Sequence, residues 1–376
     1  MQAIHQDIDP NGLLEYSVVY TDRALNHMSR NFQRVMNDIS RVLKTVYKAR
    51  SAVVVPGSGT YGMEAVARQF ATGEPVLVIR NGWFSYRWTQ IFEMGSIPSS
   101  STVLKARQTG PGGTRAAFAP PPIEEVVAAI RAEKPAVVFA PHVETSAGMM
   151  LPPDYLRAVG AAVREVGGLF VLDCIASGCI WVDMQDCNVD VLISAPQKGW
   201  SSTPCAGLVM LGERARAHID QTTSTSYACD LRKWLSIMET YEGGGHAYHA
   251  TMPTDGLRRL DEMMQEAEAF GFDRLKDAQT ALGTQVRALL ESKGFASVAA
   301  PGFQAPCVVV SYTDDPEIQN GKKFMANGMQ IAAGVPLQVD EPADFRTFRL
   351  GLFGLDKLQQ VERSVASLAD AIAQLS

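Results

Sequence analysis

A series of short apolar segments between residues 52 and 211, several of them unbroken, constrains this chain more than any other feature. They are residues 52–55, 75–80, 136–140, 169–173, 189–194 and 207–211, rich in Val, Ile and Leu. A strand with one wet face would alternate polar and apolar positions. These segments do not alternate, so each is expected to be a strand covered on both faces. Between them run stretches with apolar residues at helical spacing, such as 123–133 and 155–166. Short buried strands alternating with amphipathic helices predict an α/β fold with a mainly parallel sheet covered by helices.

The flanks extend this frame. Phe32, Val35, Met36, Ile39, Val42, Leu43 and Val46 recur at helical spacing, so residues 31–50 are expected to be a helix. After about residue 255 the pattern changes. Residues 257–290 read as one long or two shorter helices, 303–312 and 344–352 as strands, and 356–375 as an amphipathic helix. That mixture predicts a smaller α+β domain. The expected division is an N-terminal arm (1–22), a large domain (23–256) and a small C-terminal domain (257–376). A length of 376 residues suits it.

Composition excludes several classes. With 46% hydrophobic and 20% charged residues, the chain is no disordered, collagenous or coiled-coil protein. Its 34 Lys and Arg against 40 Asp and Glu give a net charge of −6, so no nucleic-acid partner is expected. Apolar runs such as 136–140 are far too short to span a membrane, and the opening residues lack a basic, apolar secretory pattern. A cytoplasmic protein is the expectation. Cys174, Cys179, Cys187, Cys205, Cys229 and Cys307 form no CxxC pair and no zinc spacing with histidine, so reduced thiols and no metal are expected.

Three motifs carry chemistry. Pro56-Gly57-Ser58-Gly59-Thr60 follows one strand and opens a helix, a place where backbone N–H groups and hydroxyls suit a phosphate dianion. It has no P-loop lysine and no full GxGxxG spacing. Asp173 ends an apolar strand at the edge where parallel sheets bind ligands, and a carboxylate there needs a cation or donor. Lys198 follows another strand in Ser194-Ala195-Pro196-Gln197-Lys198, beside Trp200 and several hydroxyls. A partly desolvated lysine can serve as an amine nucleophile. Phosphate cradle, aspartate and lysine together match the needs of pyridoxal 5′-phosphate: a held phosphate, a protonated pyridine nitrogen and a captured aldehyde.

On these residues the chain resembles the fold type I pyridoxal-phosphate enzymes of the class V aminotransferase family. The nearest resemblance is to the alanine–glyoxylate and serine–glyoxylate aminotransferase branch, from about residue 51 to 354. The resemblance implies that Lys198 forms the imine with the cofactor and then moves the proton, and that Gln197 contacts its phosphate. It implies that Asp173 pairs with the pyridinium nitrogen and that Ser58, Gly59 and Thr60 form the phosphate turn. Gly82-Trp83-Phe84 is similar to the stacking segment, with Phe84 the stacker and Trp83 the alternative. His142-Val143-Glu144-Thr145-Ser146-Ala147-Gly148 resembles the motif in which Thr145 or Ser146 bonds the phenolic oxygen, with Ile175 beneath the ring. Tyr248-His249-Ala250-Thr251-Met252-Pro253 is similar to a segment whose Tyr248 and Thr251 would reach a partner subunit's phosphate, which implies a homodimer with a composite active site. Arg349 would clamp the substrate's α-carboxylate.

The implied activity moves an amino group from alanine or serine to glyoxylate or pyruvate in two ping-pong halves. Alternatives within the fold are an aminophosphonate-type transaminase and a class V lyase or desulfurase, the last disfavoured because Cys307 sits in an apparent buried strand. Outside it, a non-catalytic phosphate or nucleotide binder would rest on the glycine turn alone. The family's Pro-Gly-Pro-like opening is replaced by Tyr16-Ser17-Val18-Val19-Tyr20-Thr21-Asp22-Arg23. Arg23 and His27 are expected in ordinary loop or cap roles, Arg346 at the surface, and His142 and His249 in structural hydrogen bonds.

Overall fold

The computed structural model describes residues 5–111 and 113–375. Its centre is a seven-stranded sheet: β1 (Ser51–Pro56), β2 (Pro75–Arg80), β3 (Ser100–Lys105), β4 (Val137–Pro141), β5 (Leu169–Asp173), β6 (Val191–Ser194) and β7 (Ala206–Leu211). The order is β1-β7-β6-β5-β4-β2-β3. β7 runs antiparallel to both neighbours. The remaining pairs are parallel. Every residue of β4, β5, β6 and β7 is buried, as unbroken apolar runs require. Six strands therefore point one way, and their C-terminal ends share one edge of the sheet.

The predicted helix over 31–50 is Arg30–Tyr47. Ser29 caps it by accepting from Phe32 N–H, and Lys48 ends it in the left-handed region. β3 was not expected from the sequence. Ser100, Ser101 and Thr102 give it no apolar run, and as an edge strand it is only half covered. The helices Trp83–Gly95, Glu213–Ile219 and Leu231–Glu242 were also not expected. In the first, crowded aromatics hide the helical period.

A second, antiparallel sheet holds β8 (Val308–Tyr312), β9 (Ala332–Ala333) and β10 (Thr347–Gly351), in the order β8-β10-β9. β8 is shorter than the expected 303–312, because Pro306 precedes it and cannot donate to a ladder. The open choice over 257–290 resolves into two helices, Thr254–Phe270 and Phe272–Ser292. Gly271 separates them with φ +102°, a conformation that side chains resist. The first of these helices crosses residue 256, with Leu257, Leu260 and Met264 in the main sheet's core and Ala267 in the core of the second sheet. The C-terminal helix is broken into Leu355–Gln359 and Val361–Ala373. Among the described residues no helix is long and apolar enough to cross a membrane.

A Cβ at Gly271 would meet only Arg274 Cβ, at 3.8 Å, so alanine there is opposed by backbone conformation and not by crowding. Gly271→Ala should lower the unfolding free energy by about 1–2 kcal/mol in urea titration. An unchanged midpoint would show that the break between the helices tolerates other residues.

Candidate active site

The parallel strands deliver the chemistry-bearing residues to a common edge. Ser58, Gly59 and Thr60 follow β1, Trp83 and Phe84 follow β2, and Thr145 and Ser146 lie just past β4. Asp173 ends β5, and Gln197 and Lys198 lie in the turn after β6. Arg349 arrives from the second sheet, in the middle of β10.

Helix Gly59–Phe70 begins with unspent donors. Ser58 stands at its N-cap without using its hydroxyl as a cap, and the first helical N–H groups have no intrahelical partner. A Cβ at Gly59 would lie 2.6 Å from Ile175 Cδ1, so glycine lets this turn sit against Ile175 without moving that side chain. Nearby polar groups share this incompleteness: Gln197 Oε1 and Ser202 Oγ are buried without partners. Orphaned buried polar atoms are rare in native structures, and a bound polar group is one explanation. The turn after β6 is held tightly, since a Cβ at Gly199 would fall 2.1 Å from Gly178 O.

Asp173 is buried, and its Oδ1 accepts from Ile175 N–H at 2.9 Å. Desolvation pushes its carboxyl up to about 7 from the ordinary 3.8; the Ile175 bond and Arg87 pull it down, while Glu144 adds to the rise. A carboxylate in that state favours a cation beside it. Burial and then the charge of Arg349 lower the Lys198 amine below the usual lysine range. Lys198 Nζ lies 5.2 Å from the Phe353 ring centroid. Arg349 donates from Nε to Ala333 O at 2.8 Å, and its guanidinium carbon lies 5.5 Å from the Phe84 ring centroid.

Glu144 organises the middle of the site. Its fully buried carboxylate accepts from Phe84 N–H (3.1 Å), Ser85 N–H (2.9 Å), Ser85 Oγ (2.6 Å), Ser146 N–H (3.1 Å) and Ser146 Oγ (2.7 Å). It thereby caps helix Trp83–Gly95 and fixes where Phe84 stands. Ser146 Oγ also accepts from Trp83 N–H at 2.9 Å, so that hydroxyl is fully engaged inside the protein. Thr145 is half-buried next to it.

The structure thus gathers Thr60, Phe84, Asp173, Ile175, Lys198 and Arg349 into one network. Tyr248 and Thr251 stand apart from it. Tyr248 is 53% exposed, and its hydroxyl bonds Thr251 Oγ1 at 3.0 Å. Arg346 is exposed and donates to Asp314 O. His142 Nδ1 bonds Ser177 Oγ at 2.7 Å, and burial lowers its pKa to about 4. His249 Nε2 donates to Tyr227 O at 2.9 Å. His27 departs from a simple loop role: it is 6% exposed, with its ring against Tyr20, His246 and Tyr248. All six cysteines are free and buried. Sequence reasoning gave no role to Glu144 or Arg87. Glu144 had a signal, a carboxylate just past a buried strand like Asp173, whereas Arg87 lies on the helix that the sequence reading missed.

The raised Asp173 carboxyl gives a pH prediction for cofactor-free protein. A group that binds its proton more tightly when folded contributes stability that is complete below about pH 4 and is lost as pH rises to about 7. Asp173→Asn carries no such loss. The variant should gain on the wild type across that window, by on the order of 4 kcal/mol. Urea unfolding at several pH values measures the difference, and a pH-independent difference would contradict the assigned cause.

The family description Aminotransferase class-V matches residues 12–334. Alanine–glyoxylate aminotransferase 1 of Saccharomyces cerevisiae is 28% identical over 65% of this chain and 64% of its own length. A 2-aminoethylphosphonate–pyruvate transaminase of Burkholderia ambifaria is 27% identical over 86% of this chain and 82% of its own. The crystal structure of an alanine–glyoxylate aminotransferase from Nostoc sp. superposes with a TM-score of 0.77 at 22% identity, covering 93% of this chain and 88% of that one. The unspent phosphate donors and the carboxyl that calls for a cation fit pyridoxal phosphate, the cofactor of this fold. This chain belongs to the class V aminotransferases, pyridoxal-phosphate enzymes of fold type I.

Proposed function

We propose that this enzyme transfers an amino group from a small amino acid, alanine or serine, to a 2-oxo acid, glyoxylate or pyruvate. The observation that carries this reading is one network holding a lysine of lowered pKa, a buried aspartate and an arginine fork. The cofactor, when bound, supplies the electron sink that acidifies the substrate's α-hydrogen. Ser58, Gly59, Thr60 and Gln197 would hold its phosphate, Asp173 its ring nitrogen, and Phe84 and Ile175 its ring. Thr145 is the better candidate for the phenolic oxygen, because the Ser146 hydroxyl is committed to Glu144 and Trp83.

Arg349 binds the substrate. With Nε on Ala333 O, its two Nη groups form the fork for a bidentate α-carboxylate. That clamp fixes the Cα–H bond relative to Lys198. Burial and the Arg349 charge favour neutral Nζ on Lys198, the form that can take a proton from Cα. The same reading places the small C-terminal domain, from about residue 257, as the carrier of Arg349. It treats residues 1–22 as an arm and the cytoplasm as the site of action.

Tyr248 and Thr251 support a homodimer. Both are exposed, and their hydroxyls bond each other. They would complete the second copy's phosphate site. A second reading, amino transfer from an aminophosphonate, is favoured by the similarity to the Burkholderia ambifaria transaminase. Arg349 would then bind a different anion. A desulfurase reading is opposed by Cys307, whose thiol is buried, donates to Ala176 O and is pushed well above the usual thiol range by burial.

A spectral half-reaction screen tests donor class. L-alanine and L-serine should bleach the cofactor's visible band, ahead of glycine, L-cysteine and 2-aminoethylphosphonate; a response to the phosphonate alone favours the second reading. Lys198→Ala should reduce turnover by at least about 10²–10⁴-fold. A variant with full turnover would end the assignment. Sedimentation velocity at micromolar concentration should find a dimer, and a fully active monomer would contradict the composite site.

A further inference from the structure

Arg87 has no part in the reading above, yet it stands at its centre. It lies three residues after Phe84, on the same side of helix Trp83–Gly95. Its Nη1 donates to Thr60 Oγ1 at 3.0 Å. Its guanidinium carbon lies 5.2 Å from the Phe84 ring centroid. Its charge is felt by Asp173, whose carboxyl it draws down. The side chain is half-buried. Among the described residues it makes no ion pair with any carboxylate.

A half-buried guanidinium without an anion is an incomplete arrangement, because desolvating a charge is costly unless an opposite charge meets it. The phosphate turn is incomplete in the opposite sense. Ser58, Gly59, Thr60 and Gln197 offer hydroxyls, amides and a helix N-terminus worth about half a charge, and a phosphate carries close to two negative charges at neutral pH. None of those residues is a cation. Lys198 is committed to the aldehyde, and Arg349 is engaged with the second sheet.

We infer that Arg87 is the cation of the phosphate site, anchored through Thr60 so that its charge balances the cofactor's phosphate. This rests on Ser58, Gly59 and Thr60 being the phosphate turn. Arg87 then joins two functions in one side chain: it holds the phosphate end and stands against the ring that stacks on the cofactor.

The test compares two ligands on the intact enzyme. The intact enzyme, freed of its cofactor, is equilibrated by dialysis against graded pyridoxal phosphate, and separately against pyridoxal, which has the aldehyde and ring but no phosphate. Arg87→Gln keeps a donor for Thr60 and removes the charge. It should weaken pyridoxal phosphate binding by about 10–100-fold and leave pyridoxal affinity within about twofold. Arg87→Lys should recover most of the loss. Equal weakening of both ligands would overturn the inference, since Arg87 would then only brace the helix of Phe84; so would an unchanged affinity for pyridoxal phosphate. If Arg87→Gln fails to fold, Arg87→Met carries the same prediction. A wild-type enzyme that binds pyridoxal as tightly as pyridoxal phosphate would instead remove the phosphate-turn assignment on which the inference rests.

Discussion

The whole arrangement depends on the shared direction of six strands. Backbone groups inside a two-sided sheet must pair with neighbouring strands, so the polar chemistry of the chain is driven to the strand ends. Here β1, β2, β4, β5 and β6 end at one edge, and each is followed at once by a residue of the candidate site. β7, the one strand running the other way, sits between β1 and β6. Being antiparallel, it starts at the edge where β6 ends, so the lysine turn is the connection from β6 into β7. Close packing of Gly62 on Gly207 brings helix Gly59–Phe70 down onto β7, since a Cβ at Gly207 would be 2.8 Å from Gly62 Cα.

Glu144 converts that shared edge into a defined site. A buried carboxylate is costly alone, but five hydrogen bonds from the Phe84, Ser85 and Ser146 region compensate it. The result locks the aromatic helix to the turn after β4. The charges around it form a graded set: Asp173 raised by burial, Lys198 lowered by burial and by Arg349, and Arg349 itself lowered by burial but supported by Glu144. Each group's proton affinity is shifted from its value in water, which is how a site prepares charge complementarity to a bound partner.

Much of the fold was legible in the sequence, and for a physical reason. Strands buried on both faces must be apolar throughout, so β1, β2, β4, β5, β6 and β7 announce themselves. β3 does not, because an edge strand half open to solvent can be built from Ser100, Ser101 and Thr102. The boundary between the two helices over 254–292 hinges on the φ of Gly271, which composition alone could not decide. In the site, Asp173 and Lys198 were legible because a charged residue at the end of an apolar run has few structural uses. Arg87 was not, since an arginine in a segment without a readable helical period resembles any surface cation.

By itself, then, the sequence determined the α/β class, the strands that reach the ligand-binding edge and the family to which Asp173, Lys198 and Arg349 belong, because those properties depend on local runs and short motifs. Only the tertiary structure decided which groups are paired. It committed the Ser146 hydroxyl to Glu144 and left Gln197 Oε1 without a partner. It set Tyr248 and Thr251 outside their own chain's network, and brought Arg87 to Thr60 across 27 residues of sequence. Pairing is a matter of distance and burial between segments far apart in the chain, and no local pattern encodes it.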